Sequence, residues 1–138
     1  MAKRKKKSRY HTGIHESPKV GECKYRSGWE LKYMLYLDEN PDVISYEYEP
    51  FEITYVSNKK SGRIRRYIPD IMIHMVDGSN VLVEIKPARR LNTRIVQKKA
   101  SVAEDWCREN NATYKIITEI ELKALGLFKT GKRSKTQE

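Results

Sequence analysis

Apolar positions recur at helical spacing in two long stretches of the chain and at strand spacing between them. Ser27 followed three residues later by Glu30 is a capping-box opening. Leu31, Met34, Leu35 and Leu37 then recur with helical period until Asn40-Pro41 stops them, which predicts a helix to about Asp38. Residues 43–56, with Ile44, Tyr46, Tyr48, Phe51, Ile53 and Tyr55, have strand composition, and Pro50 divides them or marks an edge or bulge. Asn58 to Gly62 is turn-like; residues 65–75 and 81–86 then alternate as two further strands around a Val76-Asp77-Gly78-Ser79-Asn80 turn. Asn92 or Thr93 caps a second long helix reaching about Glu109, with Ile95/Val96, Ala100, Val102/Ala103 and Trp106/Cys107 as its apolar stripe. A strand at 113–117 and a helix at 119–125, ended by Gly126, complete the series. The order αβββαβ predicts an α/β fold: a mixed sheet with helices on its faces.

Period-two alternation puts Ile68, Asp70, Met72 and His74 on one face of their strand, with Tyr67, Ile71, Ile73 and Met75 on the other. In the next strand Leu82, Glu84 and Lys86 share a face, opposite Val81, Val83 and Ile85. Asp70 joins Glu84 and Lys86 only if even positions pair with even, so a two-residue Asp77-Gly78 turn would scatter them. An odd loop is expected, pairing Met75 with Val81, placing Met72 across from Glu84 and leaving Asp70 one diagonal step away.

The length of 138 residues fits one domain. Charge divides it further: residues 1–26 carry nine Lys/Arg against two acids, residues 129–138 four against one, and residues 27–128 fifteen of each sign. The whole net charge of +10 therefore belongs to two ends. The expected organisation is a basic arm at 1–26 without a buried element, a core at 27–128 and a basic tail at 129–138. Lys3, Arg4, Lys5, Lys6 and Lys7 suit non-specific contact with phosphate backbone, though the same run reads equally as a nuclear localisation signal or a solubilising end. No run nears the roughly 18 apolar residues of a membrane span, and no apolar run follows the basic start, so a soluble, unsecreted protein with no membrane partner is expected. Cys23 and Cys107 are too few for a disulfide framework, and His11, His15 and Cys23 lack a fourth ligand at zinc spacing.

Asp70 and Glu84 with Lys86 beside them, and Glu30 from a packed helix, make a candidate site of oxygen ligands for a hard cation, magnesium or manganese rather than zinc. Such an ion activates water and neutralises charge in phosphodiester hydrolysis, where a nearby ammonium assists. Two plainer roles stay open: Glu30 closing its capping box, and Lys86 forming an ordinary salt bridge with Glu84 or Asp70. Glu49 is a spare acid. Arg65 and Arg66 precede the cluster, and Arg89, Arg90, Arg94, Lys98 and Lys99 follow Lys86, all candidates for gripping double-stranded DNA. No recognition helix or sheet insertion remains after the core elements are assigned, so low sequence specificity is expected.

Pro69-Asp70, then thirteen residues, then Glu84-Ile85-Lys86, with Glu30 on a preceding helix, resembles the PD-(D/E)XK nuclease superfamily. Tyr25-Arg26-Ser27-Gly28-Trp29-Glu30 is similar to the opening of its TnsA-like endonuclease branch. That opening, with Arg66 to Asp70, Val83 to Pro87, Glu104-Asp105-Trp106-Cys107 and Lys115 to Glu119, resembles the head-completion nucleases of tailed myophages. Ile68 before Pro69 and Gly28 depart from the pattern, and neither supplies a ligand. The resemblance implies a restriction-endonuclease-like core and a metal-dependent DNA endonuclease. Glu30, Asp70 and Glu84 would hold the metal, with Lys86 as catalytic lysine. It further implies action at head–tail joining, in the infected host cytoplasm or on the virion, with phage head or neck proteins as partners. The alternatives are a TnsA-like or resolvase-like subunit active only in a complex, and a structural adaptor that binds DNA without cutting it.

Overall fold

The computed structural model describes residues 12–128. The basic run at 3–7 and the tail at 129–138 lie outside the described residues. The centre is a four-stranded mixed sheet of β3 (Val43–Tyr48), β6 (Ile71–Met75), β7 (Asn80–Ile85) and β8 (Thr113–Ile117), in the order β3-β6-β7-β8. β6 runs antiparallel to both β3 and β7, while β8 lies parallel to β7 after the crossover through α2 (Arg94–Glu109).

Both faces of this sheet are covered, which is why Ile71-Met72-Ile73 and Val81-Leu82-Val83 read as unbroken apolar runs. On one face α1 (Gly28–Glu39) and α3 (Glu119–Ala124) bring Tyr33, Met34, Leu37 and Leu122 against Ile71, Ile73 and Val83. On the other, α2 packs Ala103 and Cys107 against Tyr67, Met72 and Leu82. Burial of each such aliphatic side chain stabilises the fold by about 1.5–3 kcal/mol. Trp106 stacks on Phe51 with ring centroids 4.4 Å apart, as a core residue.

The αβββαβ order is present as α1, β3, β6, β7, α2 and β8, with two hairpins outside the central sheet. The first corrects the expectation that residues before Arg26 form an arm with no buried element. β1 (Gly13–Ser17) pairs with β2 (Gly21–Tyr25) across a turn that needs Gly21 at φ +80°. Hydrophobic patterning is inverted there: Ile14 faces solvent, whereas His15 and Ser17 point inward to Asp38. Tyr46 donates to the same carboxylate. Cys23, expected in a polar lead-in, packs on the core beneath α1 with its Sγ 3.8 Å from the Met34 sulfur.

The second hairpin joins β4 (Ile53–Asn58) to β5 (Arg63–Tyr67) and corrects the single strand expected at 65–75. That stretch is two strands, β5 and β6, separated by Ile68-Pro69-Asp70. Buried Pro69 has no N–H for a ladder, so the chain leaves one sheet and enters another there. The β6–β7 register also differs: Val81 pairs with Ile73 rather than Met75, and Leu82 with Met72, a slip of two residues. The loop remains odd, held by Asp77 Oδ1 accepting from the Ser79 backbone and hydroxyl.

Candidate active site

Because β6 is antiparallel to its neighbours and β8 is parallel to β7, the start of β6 and the ends of β3, β7 and β8 lie at one end of the sheet. Continuing the observed pairing puts Asp70 directly across from Glu84, not diagonal to it. The Ile85 N–H donates to Asp70 Oδ2 at 2.7 Å, while the Asp70 carbonyl accepts from Glu49 N–H at 2.7 Å. Pro69 and these two bonds fix the carboxylate at the sheet end.

Glu84 is 6% exposed. The Tyr67 hydroxyl donates to its Oε1 at 2.7 Å, and the Lys86 ammonium lies 3.4 Å from Oε2. Lys86 thus forms the salt bridge foreseen as the plainer role, and it does so at the cluster itself. Glu30 closes its helix cap with a variation: Ser27 Oγ accepts from Glu30 N–H, and Glu30 Oε1 accepts from the N–H of Arg26, one residue before the N-cap. The Tyr48 hydroxyl also donates to Glu30 Oε1, at 3.0 Å, drawing the start of α1 toward the end of β3 beside Asp70.

Burial, then the facing Glu84 carboxylate, push Asp70 well above the ordinary carboxylate range; Glu30 adds to the rise, while the Ile85 N–H and Lys86 oppose it. Desolvation raises Glu84 as well, against the lowering by Tyr67 and Lys86. Lys86 thus acts on both close, shielded acids, and Lys99 adds to its effect on Glu84. Asp70 Oδ1 and Glu30 Oε2 have no hydrogen-bond partner among the described residues. Asp70 and Glu84 fit a hard cation by donor chemistry and by a repulsion that Lys86 only partly offsets. As they stand, no three Asp, Glu, His or Cys side chains among the described residues are grouped to hold a metal ion. Glu30 acts on Asp70 more weakly than Glu84 does. Glu49, the spare acid, is turned to Arg26 at 3.4 Å.

Of the candidate DNA-gripping residues, Arg65, Arg66, Arg94, Lys98 and Lys99 meet along a groove of about 770 Å³ between the β4–β5 hairpin and α2. Arg63 is there too. Arg89 and Arg90 stand apart on the 3₁₀ turn Ala88–Arg90, held against α3 by the Ala88 N–H to Glu119 bond. The premise of low specificity is also corrected, since the β4–β5 hairpin is a sheet insertion.

Tyr67 and Tyr48 were not foreseen in the site. Alternation placed Tyr67 on the face away from Asp70, but the break after it changes its direction and sends its hydroxyl to Glu84. The Tyr114 hydroxyl on β8 lies 3.4 Å from that of Tyr67. Desolvation, then repulsion from Glu84, raise the Tyr67 phenol far beyond its usual value, so it remains a donor. The available signal was a tyrosine two residues before the proline of the proline–aspartate pair.

Over 124 aligned residues the chain is 29% identical to the head completion nuclease of Enterobacteria phage T4, covering 74% of this chain and 82% of that protein. Residues 40–119, more than half of the chain, match the family model described as TnsA-like endonuclease N terminal; Glu30 lies outside the matched stretch. The central sheet with helices on both faces is thereby a restriction-endonuclease-like fold. The chain belongs to the TnsA-like endonuclease N-terminal family.

Proposed function

We propose that this protein is a divalent-metal-dependent DNA endonuclease that hydrolyses phosphodiester bonds with low sequence specificity. Asp70 and Glu84, with Glu30 as a third carboxylate, would hold magnesium or manganese. Such an ion, when bound, activates water and neutralises charge on the pentavalent transition state. Lys86 keeps its ammonium beside Glu84, where it can orient the attacking water or stabilise charge on the phosphoryl group. Tyr67 holds Glu84 in place from the other side. Specificity is low because the side chains near the site are mainly cations suited to phosphate.

The observation that carries this reading is two shielded acids facing each other at one sheet end, with the Lys86 ammonium 3.4 Å from one of them. A purely structural role gains nothing from such an arrangement, since the acids repel. The likeness to a phage head completion nuclease supports double-stranded DNA as substrate and a cut made as a head is finished. The protein would then act in the infected host cytoplasm or on the virion, among head and neck proteins. Nicking of supercoiled plasmid in magnesium or manganese, against a chelator control, tests the chemistry. Asp70→Asn and Lys86→Ala should stay folded and bind DNA yet lose nicking; cleavage equal to the parent's would refute the assignment.

A further inference from the structure

Resting on that nuclease reading, we infer that the groove between the β4–β5 hairpin and α2 holds one sugar–phosphate strand of the DNA and leads it to the carboxylates, so that the strand gripped there is the strand cut. The hairpin is parted from the central sheet at Pro69 and, among the described residues, pairs only with itself. Between it and α2 runs the open groove, with Arg63, Arg65 and Arg66 on one wall and Arg94, Lys98 and Lys99 on the other. No acid lines it. Among the described residues only Arg66 of these six has an ion pair, with Glu52 at 3.5 Å. Residues 27–128 balance fifteen charges of each sign, so this face has gathered cations whose acids lie elsewhere. Cations facing one another across an open cleft repel until an anion enters.

The rest of the lining decides what kind of anion. Tyr55, Ile64 and Ile95 interrupt the charges, and the two isoleucines are 59% and 66% exposed. A nucleic-acid strand offers that alternation, with phosphates for the cations and sugar and base faces for the apolar patches. One wall of the groove also reaches the site through Tyr67. Lys99, on its α2 wall, holds its ammonium 5.5 Å from the centre of the Tyr67 ring, and the Tyr67 hydroxyl donates to Glu84. An acidic peptide entering by this route would bring carboxylates up to Asp70 and Glu84, whereas a phosphodiester brings the group the site is built to attack.

Binding is measured on the full chain in chelator, so no cutting intervenes. Arg63→Ala/Arg94→Ala replaces two exposed side chains outside the core. If both touch phosphate, the fall in affinity between about 50 and 200 mM salt should be about 12-fold smaller than the parent's. Oligonucleotides photo-crosslinked at successive positions should attach to Tyr55 from the cut strand, on one side of the scissile bond. Unchanged affinity and salt dependence, crosslinks only from the uncut strand, or stronger competition by polyglutamate than by an oligonucleotide of equal charge would each overturn the inference. Asp70→Asn separates the two readings: it should bind like the parent without cutting. Cutting by Asp70→Asn would sink the nuclease assignment and leave the binding result to judge the groove.

Discussion

Replacing Asp70 with asparagine should make the metal-free protein more stable while abolishing cleavage. The amide is nearly isosteric, and its oxygen can still accept from the Ile85 N–H. What disappears is one of two facing charges. Directly opposed residues on neighbouring strands stand about 5 Å apart at Cβ, and two unit charges at that spacing repel by about 3 kcal/mol at an effective dielectric of about 20. Lys86, 3.4 Å from Glu84, offsets part of this. A net gain of about 1–2 kcal/mol corresponds to a rise of roughly 3–8 °C in Tm for a domain of this size. The sign with pH follows from the raised Asp70 pKa. The native state holds the proton more tightly than the unfolded chain, so this contribution to stability is fullest below the ordinary carboxylate range and is lost as pH rises through the raised value. The Asn variant should lack that decline. A divalent ion reverses the ranking: at a hundred times its Kd it adds about 2.7 kcal/mol to the parent and little to the variant. Thermal unfolding followed by circular dichroism, in chelator and then in magnesium or manganese, reads all three effects. A variant that melts no higher than the parent in chelator, with a parent indifferent to both metals, would refute the reasoning.

Tyr67→Phe keeps the ring in the second core but removes the donor to Glu84; by analogy with other residues that orient metal ligands, cleavage should fall about 10–100-fold, with more metal needed for half-maximal rate. Parental rate and metal dependence would show that Glu84 needs no such support. Lys19→Met addresses the fold alone: the Lys19 ammonium donates to the carbonyls of Leu37, Asn40 and Val43, from the end of α1 to the start of β3. Its loss should cost about 2–4 kcal/mol in urea unfolding with nicking per folded molecule unchanged, and a loss below about 0.5 kcal/mol would mean that water replaces the ammonium at no penalty.

The sheet and its helices were legible because their signals are local. Ser27 and Thr93 accept the capping bonds their positions promised, from Glu30 and Val96. The apolar runs of β6 and β7 announced strands buried on both faces. The first hairpin was hidden because its inward residues, His15 and Ser17, are polar and find their partner in Asp38, more than twenty residues away. Periodicity registers hydrophobicity, and a buried face satisfied by hydrogen bonds to another element carries none.

The site was legible in residue type and obscure in register, and both follow from Asp70. Alternation correctly put Asp70 and Glu84 at positions of like parity, since an odd loop joins the strands. It could not show that β6 begins only at Ile71, because that depends on Pro69 being buried and on Glu49, at φ +48°, turning its N–H to the Asp70 carbonyl. With the ladder interrupted, the Asp70 side chain takes the Ile85 N–H that a continuing backbone would otherwise seek. The carboxylate that faces Glu84 therefore also helps to set the pairing that brings it there. A substitution removing both its charge and its acceptor, such as Asp70→Ala, tests chemistry and register together, whereas Asp70→Asn tests the charge alone.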